Sequence, residues 1–308
     1  GWLPAEGFAG GRMQLDVDAA RAAITEHVGE PLGLDATDAA WAIVRVVNAN
    51  MANAVRRVLS TKGVDPRGLS MVAFGGNGAV HAWGQARELG IDQIVVPRAA
   101  PAFSALGLLV ADYVIDLSWS LVSPLAVADP LQMQRIFADL RDEAAKELPP
   151  AQLDPDQVAE QYYANICYPG QNFDMSLPVP EGTEVSGDAL SAIADRFHEL
   201  HEADRGYCFR DQGPLLRSLR LKVVGATPKP SRVAAAGEVT DAAEAVTGTR
   251  QAFFGDGFVE ATVYDGPRLA AGAVVDGPAL VEEPFTVLVL PPGQTATVDE
   301  HGNYLVTG

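Results

Sequence analysis

A glycine-rich turn between a short apolar run and a helical pattern is the feature that most constrains what this chain can fold into. Residues 69–74 (LSMVAF) have the apolar character of a buried strand, and Gly75-Gly-Asn-Gly78 follows them directly. The next residues predict a helix over 79–89, and 93–96 predicts a second strand. A strand, helix and strand in this order normally form a parallel pair with a right-handed crossover. The sequence therefore predicts the α/β class for this portion of the chain.

Periodic patterns divide the rest of the chain into further helices and strands. Asp35 can cap a long helix over 35–60, and alternation predicts a strand over 113–122. Further helices are predicted at 101–109, 130–148 and 187–204, a hairpin at 158–168 and 171–179, and a strand at 216–224. Patterning is lost before 249, and short apolar runs follow. We expect three regions, namely residues 1–125, an α+β region over 126–230, and a β-rich module over 250–308.

Charge and cysteine content exclude several classes of function. The 308 residues contain 22 Lys and Arg against 40 Asp and Glu, a net charge of −18. This charge repels phosphate backbones and anionic lipid, so neither nucleic acid nor a membrane is an expected partner. The two cysteines, Cys167 and Cys208, cannot form a disulfide scaffold and suit a cytoplasmic location.

The glycine turn is the strongest candidate for a binding site. Gly75, Gly76 and Gly78 allow the backbone to approach a ligand, and the helix after Asn77 offers free N–H groups and a positive dipole end. Both features suit a nucleotide or phosphate. The alternative is that the glycines only let the helix pack closely on the sheet. The turn is not a P-loop, because it lacks the Gly-Lys-Ser/Thr ending.

Polar residues near this turn are candidates for ligand contact. His81 lies in the first turn of the predicted helix, where the dipole lowers the affinity of the imidazole for a proton. A structural alternative is a histidine bonded to a neighbouring loop. Asn50, Asn53 and Arg57 form a polar stripe on the long helix that either faces the turn or bonds nearby loops.

Two other pairs of residues carry weaker signals. His198 and His201 share one helix face at a spacing that permits metal binding, but no further ligands accompany them, which favours a solvent-facing or structural role. Glu282 and Glu283 are adjacent on a predicted strand and so point to opposite faces, which argues against a shared acid–base pair.

Six segments in a fixed order give the chain a resemblance to a known family. They are 10–16 (GGRMQLD), 48–56 (NANMANAVR), 72–82 (VAFGGNGAVHA), 102–108 (AFSALGL), 197–201 (FHELH) and 277–284 (GPALVEEP). The chain resembles the carboxyl-terminal portion of the A-type subunit of the hydantoinase/5-oxoprolinase family, which also includes the acetone and acetophenone carboxylases. This implies the second lobe of an actin/sugar-kinase-like nucleotide fold of RNase-H-like domains, then an α+β region and a small all-β module.

The resemblance also implies a function and partners. It implies ATP with Mg²⁺, phosphorylation of a ring amide or ketone oxygen, and hydrolysis or carboxylation with a separate B-type subunit. In this scheme Gly75, Gly76, Asn77, Gly78, His81 and Asn50 form the adenosine side of the site. The amino-terminal phosphate-binding lobe is not in this sequence, so we expect it on another chain or lost from a fragment. We expect the chain alone to be inactive. The alternative is a non-catalytic assembly or regulatory subunit.

Overall fold

The computed structural model describes residues 1–147, 157–180, 185–229 and 237–308. The chain divides into two compact units, one of residues 1–109 with 231–308 and the other of residues 110–230. The helices are α1 (Phe8–Gly11), α2 (Val17–Ile24), α3 (Glu30–Leu32), α4 (Ala36–Thr61), α5 (Gly78–Leu89), α6 (Phe103–Val110), α7 (Pro130–Glu147) and α8 (Gly187–Arg205). Among the residues so described, no helix has the length and apolar character that crossing a membrane requires.

The strands lie between residue 70 and residue 307. They are β1 (Ser70–Val72), β2 (Gln93–Val96), β3 (Tyr113–Pro124), β4 (Val158–Cys167), β5 (Met175–Pro178), β6 (Leu215–Gly225), β7 (Val246–Phe253), β8 (Phe258–Asp265), β9 (Val274–Asp276), β10 (Ala279–Glu283), β11 (Thr286–Leu290), β12 (Thr295–Val298) and β13 (Tyr304–Thr307).

The first unit contains two sheets and the helices beside them. One sheet has the order β1-β2-β13-β12-β9, with β1 and β2 parallel, which confirms the predicted strand–helix–strand pair. The other sheet has the order β11-β10-β8-β7. Helix α5 packs on this core through Ala79, Val80 and Trp83, all buried. The structure thus combines helices with mixed sheets, in agreement with the predicted α/β class.

Strand pairing in the structure joins segments that were predicted to belong to separate regions. Strand β13 pairs antiparallel with β2, so that Tyr304 lies opposite Val96. The predicted β-rich module therefore shares a sheet with residues of the predicted amino-terminal region, whereas β3, which was predicted to belong to that region, lies in the second unit. Strand β7 begins at Val246, where the sequence predicted a linker to 249.

The second unit is an antiparallel sheet with two long helices. Its strands have the order β3-β6-β4-β5, and β4 and β5 form the predicted hairpin. Helices α7 and α8 supply Phe137 and Phe197, both fully buried, to its core. The predicted end of the first of these helices at residue 148, and the prolines after it, lie outside the described residues.

Helix α4 begins and ends where the sequence predicts. The Asp35 side chain accepts hydrogen bonds from the backbone N–H groups of Thr37 and Asp38, both at 2.8 Å. These bonds satisfy donors that a helix leaves free at its start. The buried side of α4 includes Ala52 and Asn48, whereas Val58, one of the apolar residues that recur at helical spacing along this helix, is 57% exposed. Helix α4 packs against α5 on the side that carries Asn48.

Candidate functional site

The turn after β1 has a backbone conformation that favours glycine. Gly75 has φ of +89°, in the region that L residues with a side chain rarely adopt. Its N–H donates to the carbonyl of Ala100 at 2.7 Å, and its own carbonyl accepts from the N–H of Gly78 at 3.1 Å. These two bonds fix the turn between the end of β1 and the first residue of α5.

Two backbone donors at this turn remain available to a ligand. The N–H groups of Gly76 and Asn77 have no backbone or side-chain acceptor among the described residues. Both residues are exposed, and the Asn77 side chain does not cap α5. Free N–H groups at a helix start, together with the helix dipole, attract anionic groups. The turn can therefore bind phosphate oxygens through main chain alone.

A cavity of about 540 Å³ lies beside the turn, between α4, α5 and β1. Its walls are mainly apolar, and Phe74 places a half-exposed aromatic ring among them. The residues that line it are Met51, Val55, Leu59, Leu69, Ser70, Met71, Val72, Ala73, Phe74, Gly75, Asn77, Gly78, His81, Gln85 and Ile91. An apolar cleft with few polar groups is typical of a site for a planar organic ligand. No carboxylate is among these lining residues.

His81 is held against α4 by a specific hydrogen bond. Its Nδ1 lies 2.9 Å from Oδ1 of Asn48, a side chain that is only 6% exposed. A side chain at Gly84 would overlap the Asn48 amide, so this glycine lets the two helices approach. Burial lowers the pKa of His81, so the imidazole is neutral at neutral pH. The sequence predicted this direction from the helix dipole, whereas burial is the cause in the structure.

The structure brings together most of the residues that the sequence singled out. Gly75, Asn77, Gly78 and His81 line the cavity. Gly76 is exposed at the turn but does not line the cavity. Asn50 does not line it and is exposed on α4.

Two residues of the cavity region were not predicted from the sequence. Asn48 bonds His81, and it lies in the Asn-rich segment that carried the family resemblance. Gln85 lines the cavity one helical turn after His81. The spacing of four residues between His81 and Gln85 is the signal that could have identified Gln85, because residues four apart share a helix face.

The other candidate pairs have separate structural roles. His198 and His201 are buried and hydrogen-bonded within the second unit. Glu282 pairs with Arg250, whereas Glu283 accepts a hydrogen bond from Tyr304. Within the described ranges, no cluster of three or more His, Cys, Asp or Glu residues is arranged to hold a metal ion.

Replacing Gly75 by alanine tests the conformation of the turn. The space around Gly75 is open, so a methyl group meets no atom and the cost is conformational alone. We expect Gly75→Ala to lower the free energy of unfolding by about 1–2 kcal/mol. Gly76→Ala is the matched control, because Gly76 has ordinary backbone angles and its new methyl group would lie 3.7 Å from the Phe285 carbonyl oxygen. Urea denaturation of both variants measures the difference. Equal stabilities of the two variants would contradict the positive φ assigned to Gly75.

Comparisons with known proteins agree on one family. The family model for hydantoinase/oxoprolinase matches residues 1–117, and the model for the hydantoinase/oxoprolinase C-terminal domain matches residues 126–304. The structure superimposes on the nucleotide-free structure of acetone carboxylase with a TM-score of 0.81 and 26% identity, over 99% of this chain and 44% of that one.

Relatives with known names lead to the same family. The chain is 28% identical to caprolactamase subunit alpha of Pseudomonas jessenii, over 100% of this chain and 45% of that protein. It is 31% identical to the acetophenone carboxylase gamma subunit of Aromatoleum aromaticum, over 98% of this chain and 42% of the relative. The chain thus spans less than half the length of these relatives. With family models matching both of its halves, the chain belongs to the hydantoinase/oxoprolinase family.

Proposed function

We propose that this chain contributes the adenosine side of an ATP site in an ATP-dependent cyclic-amide hydrolase or ketone carboxylase. The observation that carries the proposal is the apolar cavity of about 540 Å³ directly beside the glycine turn. A purine base fits a cleft with an aromatic wall at Phe74 and a few polar groups at its edge. The free N–H groups of Gly76 and Asn77, at the turn beside the cavity, would be available to the phosphate chain.

The matched relatives support an ATP-dependent reaction of this kind. They are subunits of a caprolactamase and of ketone carboxylases, and the similar solved structures are those of ATP-dependent enzymes. When bound, ATP would supply a phosphoryl group that makes an amide oxygen a better leaving group, or that activates a ketone through its enol oxygen. The role of this chain is to bind and orient the nucleoside end through α4, α5 and the turn between β1 and α5.

The residues that line the cavity offer no carboxylate to a magnesium ion. Oxygen ligands are what Mg²⁺ requires, and the cavity is lined by no Asp or Glu. We therefore place the Mg²⁺ ligands, apart from the phosphates, in the amino-terminal lobe of an actin/sugar-kinase-like fold. That lobe would come from the longer protein or from another chain, and a B-type subunit would complete the enzyme. The chain by itself would then bind ATP weakly and turn over no substrate.

Filling the cavity from α5 tests this proposal. Gln85→Trp places a large side chain in the cleft, and the Gln85 side chain makes no hydrogen bond with the described residues. In the complete enzyme with its partner subunits, we expect the KM for ATP in substrate-dependent ATP hydrolysis to rise by about tenfold or more.

Glu88→Trp is the matched control for the cavity variant. Glu88 is exposed on the same helix and does not line the cavity, so we expect ATP use to stay at the wild-type level. An unchanged KM in Gln85→Trp would contradict the adenosine site. Absence of ATP hydrolysis in the wild-type complex, with cyclic amides and ketones as substrates, would favour the non-catalytic subunit instead.

A further inference from the structure

The hydrogen bond between His81 and Asn48 determines whether the second ring nitrogen of His81 donates or accepts a hydrogen bond. An amide oxygen only accepts hydrogen bonds, so Nδ1 of the neutral ring carries the proton and donates it to Oδ1 of Asn48. The second ring nitrogen, Nε2, then has a lone pair and no proton. It has no hydrogen-bond partner among the described residues and is not sealed from solvent. His81 therefore offers the cavity an acceptor.

The surroundings of Asn48 keep this arrangement fixed. The side chain is 6% exposed, and its amide group packs on Gly84 of the neighbouring helix. The contact between α4 and α5 at Gly84 therefore holds the Asn48 amide beside His81. A positioned partner of this kind is what sets the tautomer of a histidine.

We propose that His81 makes this site selective for adenine over guanine, with Asn48 as the residue that positions it. This inference rests on the proposed nucleotide site. Adenine carries an exocyclic amino group that donates hydrogen bonds, whereas guanine has a carbonyl oxygen at the equivalent ring position. An unprotonated Nε2 accepts a hydrogen bond from the amino group and repels the carbonyl oxygen. Gln85 does not discriminate in this way, because an amide both donates and accepts.

The test compares ATP with GTP in the complete enzyme. Calorimetric titration of the wild type with each nucleotide gives two dissociation constants, and their ratio is the measured preference. His81→Gln provides an amide that satisfies either base, so we expect the preference for ATP to fall about tenfold. Asn48→Leu removes the acceptor of Nδ1–H and releases the other tautomer, so the same ratio falls while His81 is still present.

Asn53→Leu is the matched control on the same helix. Asn53 is exposed and bonds only Arg56 among the described residues, so the ratio should equal that of the wild type. General destabilisation would weaken the binding of both nucleotides equally and leave the ratio of their dissociation constants unchanged. This distinguishes destabilisation from a loss of selectivity. A wild-type ratio retained in both His81→Gln and Asn48→Leu, or a wild type without preference for ATP, would overturn the assignment of selectivity alone. A wild-type enzyme that binds neither nucleotide would overturn the proposed function as well.

Discussion

Arg98→Met is expected to lower the free energy of unfolding by about 3–5 kcal/mol, because it leaves a buried carboxyl group without its cation. Arg98 follows β2, and its Nε lies 3.5 Å from Oε1 of Glu283 at the end of β10. The Glu283 side chain is only 6% exposed. Arg98 also donates hydrogen bonds to the carbonyl groups of Gly266 and Leu269, at 2.8 and 2.9 Å. The substitution removes all three interactions at the junction of the two sheets.

The effect of Arg98→Met is expected to depend on pH. Burial raises the pKa of Glu283, although Tyr304 and Arg98 partly oppose this shift. A raised pKa means that the folded state holds a proton more tightly than the unfolded state, so stability falls as pH rises through the pKa of the folded state. Without Arg98 the pKa rises further. The penalty of Arg98→Met is therefore larger at pH 8 than at pH 5.

Glu283→Gln and Arg45→Met separate the contributions to this prediction. Glu283→Gln keeps an acceptor for the Tyr304 hydroxyl, which lies 2.5 Å away, and introduces no buried charge. We expect it to cost about 1 kcal/mol near pH 5 and less at higher pH. Arg45→Met removes an exposed arginine from α4 and should change stability by less than about 0.5 kcal/mol. Urea denaturation at both pH values measures all three variants, and equal losses in Arg98→Met and Arg45→Met would contradict the prediction.

Local patterns were sufficient to predict the elements around the candidate site. The glycine turn, the helix after it and the parallel pair β1 and β2 all follow from residues within 30 positions of one another. The cap at Asp35 likewise depends on its immediate neighbours. In these cases the hydrophobic period and the turn residues act between positions that are close in the sequence, so few other local structures are compatible with them.

Contacts between distant residues could not be predicted in the same way. Strand β13 lies more than 200 positions after β2, and nothing in either strand alone specifies the other as its partner. Asn48 is the corresponding case in the site. The apolar residues Val47 and Val58 recur at helical spacing along α4, yet they are 38% and 57% exposed, whereas Asn48 is buried. The small residue Gly84 on α5 explains why the side of α4 that carries Asn48 is buried, because Gly84 makes room for a polar contact between the helices.

Tyr168→Ala is expected to destabilise the second unit by about 3–5 kcal/mol. The side chain is 1% exposed, and its ring packs edge-on against Phe197 and His201, both at 4.8 Å between centroids. Its hydroxyl is hydrogen-bonded to Nδ1 of His198 at 2.5 Å and accepts from the N–H of Phe209 at 2.9 Å. Removing the ring leaves a cavity and takes away the hydrogen-bond partner of the buried His198 and of the Phe209 N–H.

Hydrogen exchange locates this effect and distinguishes it from general destabilisation. Residues 110–230 form a compact unit of their own, so faster exchange should be confined to β4, β6 and α8. Tyr168→Phe keeps the ring and should cost about 1–3 kcal/mol, because His198 and the Phe209 N–H lose their partner. Tyr163→Phe is the matched control, since the Tyr163 hydroxyl bonds only the exposed Gln161 among the described residues. Equal exchange in the two phenylalanine variants would contradict the role of the hydroxyl.

The same contact predicts how the second unit responds to acid. Burial lowers the pKa of His198, so the unfolded state binds a proton more readily than the folded state. The stability of this unit should therefore fall as pH drops below about 6.5, the ordinary pKa of histidine. His198→Gln retains a hydrogen-bonding side chain beside the Tyr168 hydroxyl but does not titrate, so the stability of this variant should change less between pH 7 and pH 5. Exchange rates in β4 and α8 at the two pH values measure the difference, and an equal acid response in wild type and variant would exclude His198 as the group responsible.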